Sequence, residues 1–469
     1  MSKFREPKDR LQVTLLPRTV DEYVAERDLV RYVDCLADEF DLSAIESQYS
    51  EKGRHAYSPR VLVKLLIYGK MRRIVSSREL ARATHENLRF IFLAGGERPD
   101  FRTISDFRKR FAPELANLLR QTVRIGVEEG LIDLQTVAVD GTIIRASAGA
   151  GSFRSKEQLE ELIRKLDPDF AKDAEKDAVE GEEPGDGDDD HCLPEDPEER
   201  NELLAKARRA LKEYEERPKD AKPLKQVSLT DPESRFIESS TGGRTPSYNA
   251  QAALDTKSRM AVSGHVTKAP SDGNELPRIL EEIAENTGQN PQEALADRGY
   301  HGFDGLRELE ERRILGYIPQ PKDRSSSLPR ESFRYEESEQ AYRCPNGKLL
   351  RLRHRQIKKR LRVYVCEECA GCPLASQCLQ PGAQRRTFSV SDDDGLKQAM
   401  KRRTQTEEGR KKARLRSSTI ELLFAHLKFN RGLRHFLVRG LKTVECAWRF
   451  TLAVHNIEVL IRNRRLKAA

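Results

Sequence analysis

The stretch Thr136-Val-Ala-Val-Asp-Gly-Thr-Ile-Ile-Arg145 constrains this chain more than any other. Its β-branched and apolar residues read as a buried strand, interrupted at Asp140-Gly141 and running into a second short one. A carboxylate inside such a run is either a turn former or part of a site. What surrounds the strand shows which kind of sheet it belongs to.

Before it, the first ~120 residues read as helical. Val61, Leu62, Leu65 and Leu66 form an amphipathic stripe, with Pro59 where a first turn tolerates it. Ser76-Ser77-Arg78-Glu79 and Thr103-Ile104-Ser105-Asp106 have the form that starts helices. The second carries Arg108, Lys109 and Arg110 beyond Phe107. Short capped helices with a basic last member suit a helix-turn-helix-like reader of DNA, or a plain helical bundle with a charged exterior.

After it, strand signals return at Tyr248–Leu254 and Met260–Val266, joined by Asp255-Thr256-Lys257-Ser258 as a hairpin. A helix from Glu275 to about Asn286, a strand Glu293–Asp297, a helix Asp304–Arg312, a strand Ile314–Ile318 and a helix Arg416–Asn430 follow. Strand with Asp, hairpin, helix, strand with Asp, helix, strand, helix with Glu is the order of an RNase H-like α/β domain with a mixed sheet. The expected divisions are a helical domain over 1–130, a catalytic core over 131–150 and 231–321, and a charged helical and acidic insertion over 151–230. A cysteine-rich insertion spans 322–400, and helices over 401–469 complete the core.

In that layout Asp140, Asp297 and Glu421 converge at one edge of the sheet. Three carboxylates suit Mg²⁺, and two such ions about 3.5–4 Å apart serve an in-line phosphoryl displacement. Each acid also has a duller reading, as turn former, cap or surface charge. Charge along the chain points the same way as the acids. Between Asp173 and Glu199 there are 14 acidic residues against one Lys, while Lys401–Ala469 holds 18 basic against five acidic. Between Arg343 and Arg362 there are nine Lys/Arg and no carboxylate. Such asymmetry suits a polyanion surface in the last third, although any one block also reads as a solvated face.

These residues carry a specific resemblance. Val139-Asp140-Gly141-Thr142 followed by Ala146, then Ala296-Asp297-Arg298-Gly299-Tyr300, then Glu421 and Lys428 as E-x6-K resemble the three acid motifs of bacterial insertion-sequence transposases of the DDE class. The branch is the one with a helical N-terminal domain and a cysteine-containing insertion before the last acid. Tyr248-Asn249-Ala250-Gln251 is similar to that family's hairpin strand, and Tyr57-Ser58-Pro59, Ser76-Ser77-Arg78 and Arg98-Pro99-Asp100 to its first domain. A step of seven places Glu421 and Lys428 on one helix face. The family often has Tyr and Arg upstream of the Glu. Here those positions are Arg414 and Ser417, so Arg416, one step off register, is the candidate for phosphate contact.

The resemblance implies Mg²⁺-dependent cutting and joining of double-stranded DNA, with two ions held by Asp140, Asp297 and Glu421 and with Mn²⁺ as a substitute. Rival readings are an RNase H-fold nuclease without strand transfer and a non-catalytic DNA-binding derivative. Binding two element ends implies a homodimer on DNA.

Eight Cys do not read as a disulfide framework, because five crowd between Cys344 and Cys378. Cys366-x2-Cys369-x2-Cys372-x5-Cys378 with Cys344 upstream has the spacing of a structural Zn²⁺ site; an Fe–S cluster or bare thiols are alternatives. The resemblance favours Cys344, Cys369, Cys372 and Cys378, with Cys366 in place of Cys344 as the other choice. Asp272, before Gly273, reads as a helix cap, although the resemblance implies an acid near this position. His426 reads as a packed or surface residue. The opening MSKFREPKDR lacks an apolar core and no long apolar run exists, so a secretory signal and a membrane span are not expected. The expected location is cytoplasmic, on the nucleoid.

Overall fold

The computed structural model describes residues 19–50, 56–167, 194, 196–216, 223–238, 243–320, 328–357, 360–380 and 382–467. Most of the acidic run, Cys192 with it, lies outside the described residues. The chain divides into two compact units, each built from separated stretches: Met1–Glu129 with Ile144–Phe236 and Ala425–Ala469, and Gly130–Ile143 with Ile237–Phe424.

The first unit opens with α1 (Leu29–Asp38), α2 (Ser43–Glu46), α3 (Pro59–Met71), α4 (Ser77–Glu86), α5 (Leu88–Leu93), α6 (Phe101–Arg110) and α7 (Ala112–Glu128). Helix α3 starts at Pro59, whose missing N–H costs nothing in a first turn, and it buries Leu62, Val63, Leu65 and Leu66. Helix α6 begins two residues before the expected Thr103. The Asp100 carboxylate accepts from Arg102 N and Thr103 N at 2.7 and 2.9 Å and caps it there.

Strand β1 (Thr136–Arg145) follows, one continuous strand and not two short ones. Then come β2 (Phe153–Arg154), α8 (Lys156–Leu166), α9 (Pro197–Glu215), β3 (Val227–Ser228) and β4 (Arg235–Glu238). Helices α8 and α9 share a small core of Leu159, Ile163, Ala207, Ala210, Leu211 and Val227.

The second unit takes in β5 (Arg244–Asp255), β6 (Ala261–Thr267), α10 (Leu276–Thr287), β7 (Glu293–Leu295), α11 (Phe303–Glu311) and β8 (Leu315–Tyr317). Strands β5 and β6 pair antiparallel from Asn249↔Thr267 to Leu254↔Ala261, and the Asp255 carboxylate holds their turn by accepting from Ser258 N at 2.8 Å. Helix α10 ends at Gly288, whose φ of +79° is the left-handed cap a Cβ would resist. The sheet runs β4-β5-β1-β7-β8 with β6 on β5; β1, β7 and β8 are parallel. Antiparallel hairpin on one side and parallel crossovers on the other is the expected mixed α/β arrangement.

A second sheet, β13-β12-β11-β10-β9, is built from β9 (Arg334–Glu336), β10 (Ala341–Arg343), β11 (Leu349–Gln356), β12 (Leu361–Cys366) and β13 (Arg386–Ser391), with the short α12 (Ala375–Cys378) before β13. Its core holds Phe333, Leu350, Tyr364, Cys366 and Val390. Helices α13 (Asp394–Gln405), α14 (Glu407–Arg416) and α15 (Leu422–Ala425) follow, and α16 (Leu441–Lys467) closes the chain.

Two expectations change here. The single regular helix expected over Arg416–Asn430 is broken by π-helical turns at Ser417–Glu421 and His426–Asn430, which removes the 3.6-residue phase behind the shared face of Glu421 and Lys428. The C-terminal stretch 401–469 also divides: α16 packs on α7 in the first unit, burying Trp448 and Leu452, with Asn456 Nδ2 donating to Thr122 Oγ1 at 3.2 Å. A helix 27 residues long with an apolar side to bury needs a long apolar partner, and α7 supplies one.

Candidate active site

Strands β1 and β7 are parallel and in register at Ala138↔Leu295. Two residues further on stand Asp140 and Asp297, so the period of two places both acids at one level beyond the β7 end. Asp297 Oδ1 accepts from Gly299 N at 2.7 Å and starts the 3-10 turn Arg298–Tyr300. Glu421 closes the π turn after α14, a kind of turn that recurs at functional sites.

Arg416 links two of the three. Its Nη1 donates to Asp140 Oδ2 at 2.7 Å and its Nη2 to Glu421 Oε1 at 3.2 Å. Burial raises the Asp140 carboxyl to about 6; the Arg416 charge opposes this, and the Asp297 charge adds to it. A carboxylate in that position is short of positive charge even with a guanidinium against it.

A fourth acid, Asp272, lies within reach of the Asp297 charge. Asp272 Oδ1 accepts from Asn249 Nδ2 at 2.8 Å and Gln251 Nε2 at 2.7 Å, and Tyr300 donates its hydroxyl to Gln251 Oε1. Burial pushes the Asp272 carboxyl up, the two amides restrain it, and the Asp297 charge raises it further. The side chain is therefore no helix cap; only its backbone carbonyl takes the Glu275 N–H, at 3.0 Å. The sequence signal was present as an Asn and a Gln two apart on one strand face. The loop that carries Asp272 to them belongs to no periodic pattern.

Beside Asp297 and Arg416 lies a cleft of about 1010 Å³ whose wall includes Arg298, Arg330, Lys401 and Arg410. Lys401 is paired with Glu331 at 2.9 Å and Arg330 with Asp394. Acids at one end and cations along the wall suit a phosphate-bearing chain.

The four acids present only oxygen donors, and the Asp297 charge raises the proton affinity of Asp140 and of Asp272, which fits a hard divalent cation in kind. Yet among the described residues no three His, Cys, Asp or Glu side chains come close enough together to hold a metal ion. The expected triad is therefore not assembled as a cage; Arg416 stands between Asp140 and Glu421 instead.

The expected zinc set meets the same limit. Cys344, Cys366, Cys369, Cys372 and Cys378 do line one small pocket of about 20 Å³. Lys348 N donates to Cys344 Sγ at 3.3 Å and Arg386 N to Cys369 Sγ at 3.4 Å. Burial pushes the Cys366 thiol up to about 12, and Cys378 shifts the same way. Thiols packed as apolar groups need not converge as four ligands do.

The remaining expected residues lie in the first unit. Lys428 is in the second π turn, and burial pushes its ammonium below the ordinary value. Arg108 Nη1 donates to Val75 O at 2.8 Å, Arg110 Nη2 to Gln48 O at 3.1 Å, and Arg110 stacks over Phe111 at 4.9 Å. Lys109 is exposed. His426 is packed, its Nε2 accepting from Arg431 Nε at 3.2 Å.

Residues 343–461 match the family model described as transposase DDE domain, a stretch that contains all five clustered cysteines, Arg416, Glu421 and Lys428. This match and the one that follows support an insertion-sequence transposase of the DDE class. A second family model, transposase domain (DUF772), matches residues 18–110, which takes in helices α1 to α6. No curated protein matches the chain. A transposase DDE domain implies an RNase H-like core, in keeping with the order β6-β5-β1-β7-β8, and a divalent metal such as Mg²⁺ in the chemistry. No helix among the described residues is long and apolar enough to cross a membrane.

Proposed function

We propose that the chain is a transposase that cuts double-stranded DNA at the ends of an insertion sequence and joins those ends to target DNA. The observation that carries this reading is the placement of Asp140 and Asp297 at one level of two parallel strands, tied through Arg416 to Glu421 and flanked by the basic cleft. Asp140, Asp297 and Glu421 would hold two Mg²⁺ ions, with Mn²⁺ as a substitute. Bound there, the ions supply charge for the attacking and leaving oxygens of an in-line displacement.

The protein's own part is positioning. The Asn249–Gln251–Asp272 network keeps the floor of the site in place, and Asp140 and Asp297 face the reacting phosphate. Arg416 would exchange its carboxylate partners for a terminal phosphate, and Lys428 would add a second phosphate contact. Helices α3 to α6, with Arg108, Lys109 and Arg110, would act as a helix-turn-helix-like reader of the element ends. Cys344, Cys369, Cys372 and Cys378 would hold a structural Zn²⁺ that stiffens the basic sheet, and two chains would act together on two ends.

The test is a Mg²⁺-dependent strand-transfer assay on DNA carrying the sequences that flank the gene, with wild type beside Asp297→Ala. Joined products from wild type alone support the reading. Cutting without joining moves it to a nuclease, and binding with neither reaction, Mn²⁺ included, to a DNA-binding protein.

A further inference from the structure

Strands β11 and β12 pair from Arg351↔Val365 to Gln356↔Leu361. The connection after Gln356 therefore lies at the opposite end of the ribbon from Cys366, about 17 Å away along five residues of strand. On that connection Ile357 is 86% exposed, the most exposed large apolar side chain among the described residues. Arg360 N donates to Ile357 O at 3.0 Å, which ties the backbone at Ile357 to the start of the return strand. A single exposed apolar side chain is ordinary on a protein surface; what sets this one apart is its place at the end of a basic ribbon.

The ribbon behind it is basic. Arg351, Arg353, His354 and Arg355 are exposed along β11, and Arg360 follows the turn. The ion pairs Arg351–Glu339 and Arg353–Glu367, at 3.7 and 3.8 Å, are exposed on both sides and hold their cations weakly, while the exposed Arg360 reaches the buried Asp393 only at 3.6 Å. Arg355 has no ion pair among the described residues. A partner that suits this tip has to present anions on both sides and an apolar slot between them. Double-stranded DNA does both, with phosphates along the backbone and base faces within the stack. A two-stranded ribbon also fits a groove of the duplex.

We propose that Ile357 is a wedge that enters the base stack of duplex DNA, with Arg353, Arg355 and Arg360 on the flanking phosphates, so that the ribbon unstacks one base step and kinks the duplex there. Apolar side chains inserted in this way bend DNA by tens of degrees. The inference rests on the DNA reading above and adds a place and a deformation to it.

The experiment uses the full chain and 40-base-pair duplexes of the flanking sequence, with 2-aminopurine moved one base at a time and a fluorophore pair on the two ends. With wild type at saturation, 2-aminopurine emission is expected to rise several-fold at one step, and the ends to approach one another. Ile357→Ser, also at saturation, is expected to lose both signals; the position is exposed, so the fold tolerates it. Ile357→Phe is expected to keep them, and Arg355→Gln to lower the salt slope of binding by about one. Equal signals from wild type and Ile357→Ser overturn the wedge, as does DNA bound by wild type without any unstacking. A change in solution mass on Ile357→Ser, with DNA deformation intact, also overturns it and makes the tip a protein contact. Wild type that binds no DNA at any salt sinks the transposase reading itself, a separate failure.

Discussion

Gly141 is what allows the acids and amides to share so small a space. A Cβ there would meet Gln251 Nε2 and lie 2.7 Å from Asp272 Oδ1 and 2.8 Å from Asn249 Oδ1. Gly141→Ala is expected to destabilise the protein by about 1–3 kcal/mol, read from urea unfolding, because none of those atoms can retreat without losing a hydrogen bond. Arg416 is the other decisive side chain. With Arg416 and Asp140 only 14% and 18% exposed, Arg416→Met should cost about 1–3 kcal/mol, between a surface pair and a fully buried one. Added Mg²⁺ should restore part of that loss in the variant, since a cation can then sit against the uncompensated acids. Unfolding that ignores Mg²⁺ in Arg416→Met would count against these carboxylates as a cation site. At this scale the sequence exposed the three motif acids, because each has its own neighbours in the chain. For Asp272 it offered only the resemblance's hint of an acid nearby, because the partners of that side chain lie 21 and 23 residues away on β5.

Among the elements, β6 carries a titratable group set against α10. His265 is fully buried, with its Nε2 at 2.8 Å from Glu275 Oε2 and its Nδ1 at 3.8 Å from Glu282 Oε1, while Arg278 faces the same carboxylate at 3.4 Å. Burial pushes the imidazole down, but the hydrogen bond to Glu275 and the nearby Glu282 carboxylate outweigh it and hold the pKa above 6.5. A group whose folded pKa is raised contributes stability that is complete below its unfolded pKa and lost as pH rises through the folded one. The urea midpoint is therefore expected to fall as pH climbs from about 6 through the raised value, and His265→Gln should flatten that dependence. The second sheet gives a further check. If its cysteines hold zinc, purified protein should carry about one zinc per chain by mass spectrometry of metals. A chelator should then lower its unfolding temperature by about 2–4 °C for each kcal/mol lost. Metal-free protein of undiminished stability would return the thiols to the role of packing. Elements with a period of two or a clear cap were legible in the chain, as the β5–β6 hairpin and α3 attest. The π turns around Glu421 were not, because an extra residue per turn leaves no mark on a short apolar pattern.

For the molecule as a whole, order in the chain and order in space part company. Residues 425–469 belong with the N-terminal helices, where α16 covers the side of α7 that bears Leu115, Leu118, Leu119 and Val123. Each such side chain is worth about 1.5–3 kcal/mol when taken out of water. A chain ending at Phe424, or a fragment of residues 1–130, is therefore expected to expose that face and to lack cooperative unfolding in a calorimeter; a sharp transition from the fragment would contradict it. The order of strand and helix signals was enough to expect a mixed α/β core with interruptions, and the resemblance of the three acid motifs pointed to the transposase family, because those are properties of neighbours along the backbone. Which carboxylates meet, what stands between them, and which helix closes which core depended on contacts between residues far apart in the chain. Arg416 reaches Asp140 across 276 positions, and Asn456 reaches Thr122 across 334. Burial and charge at those meetings arise only when the chain has folded.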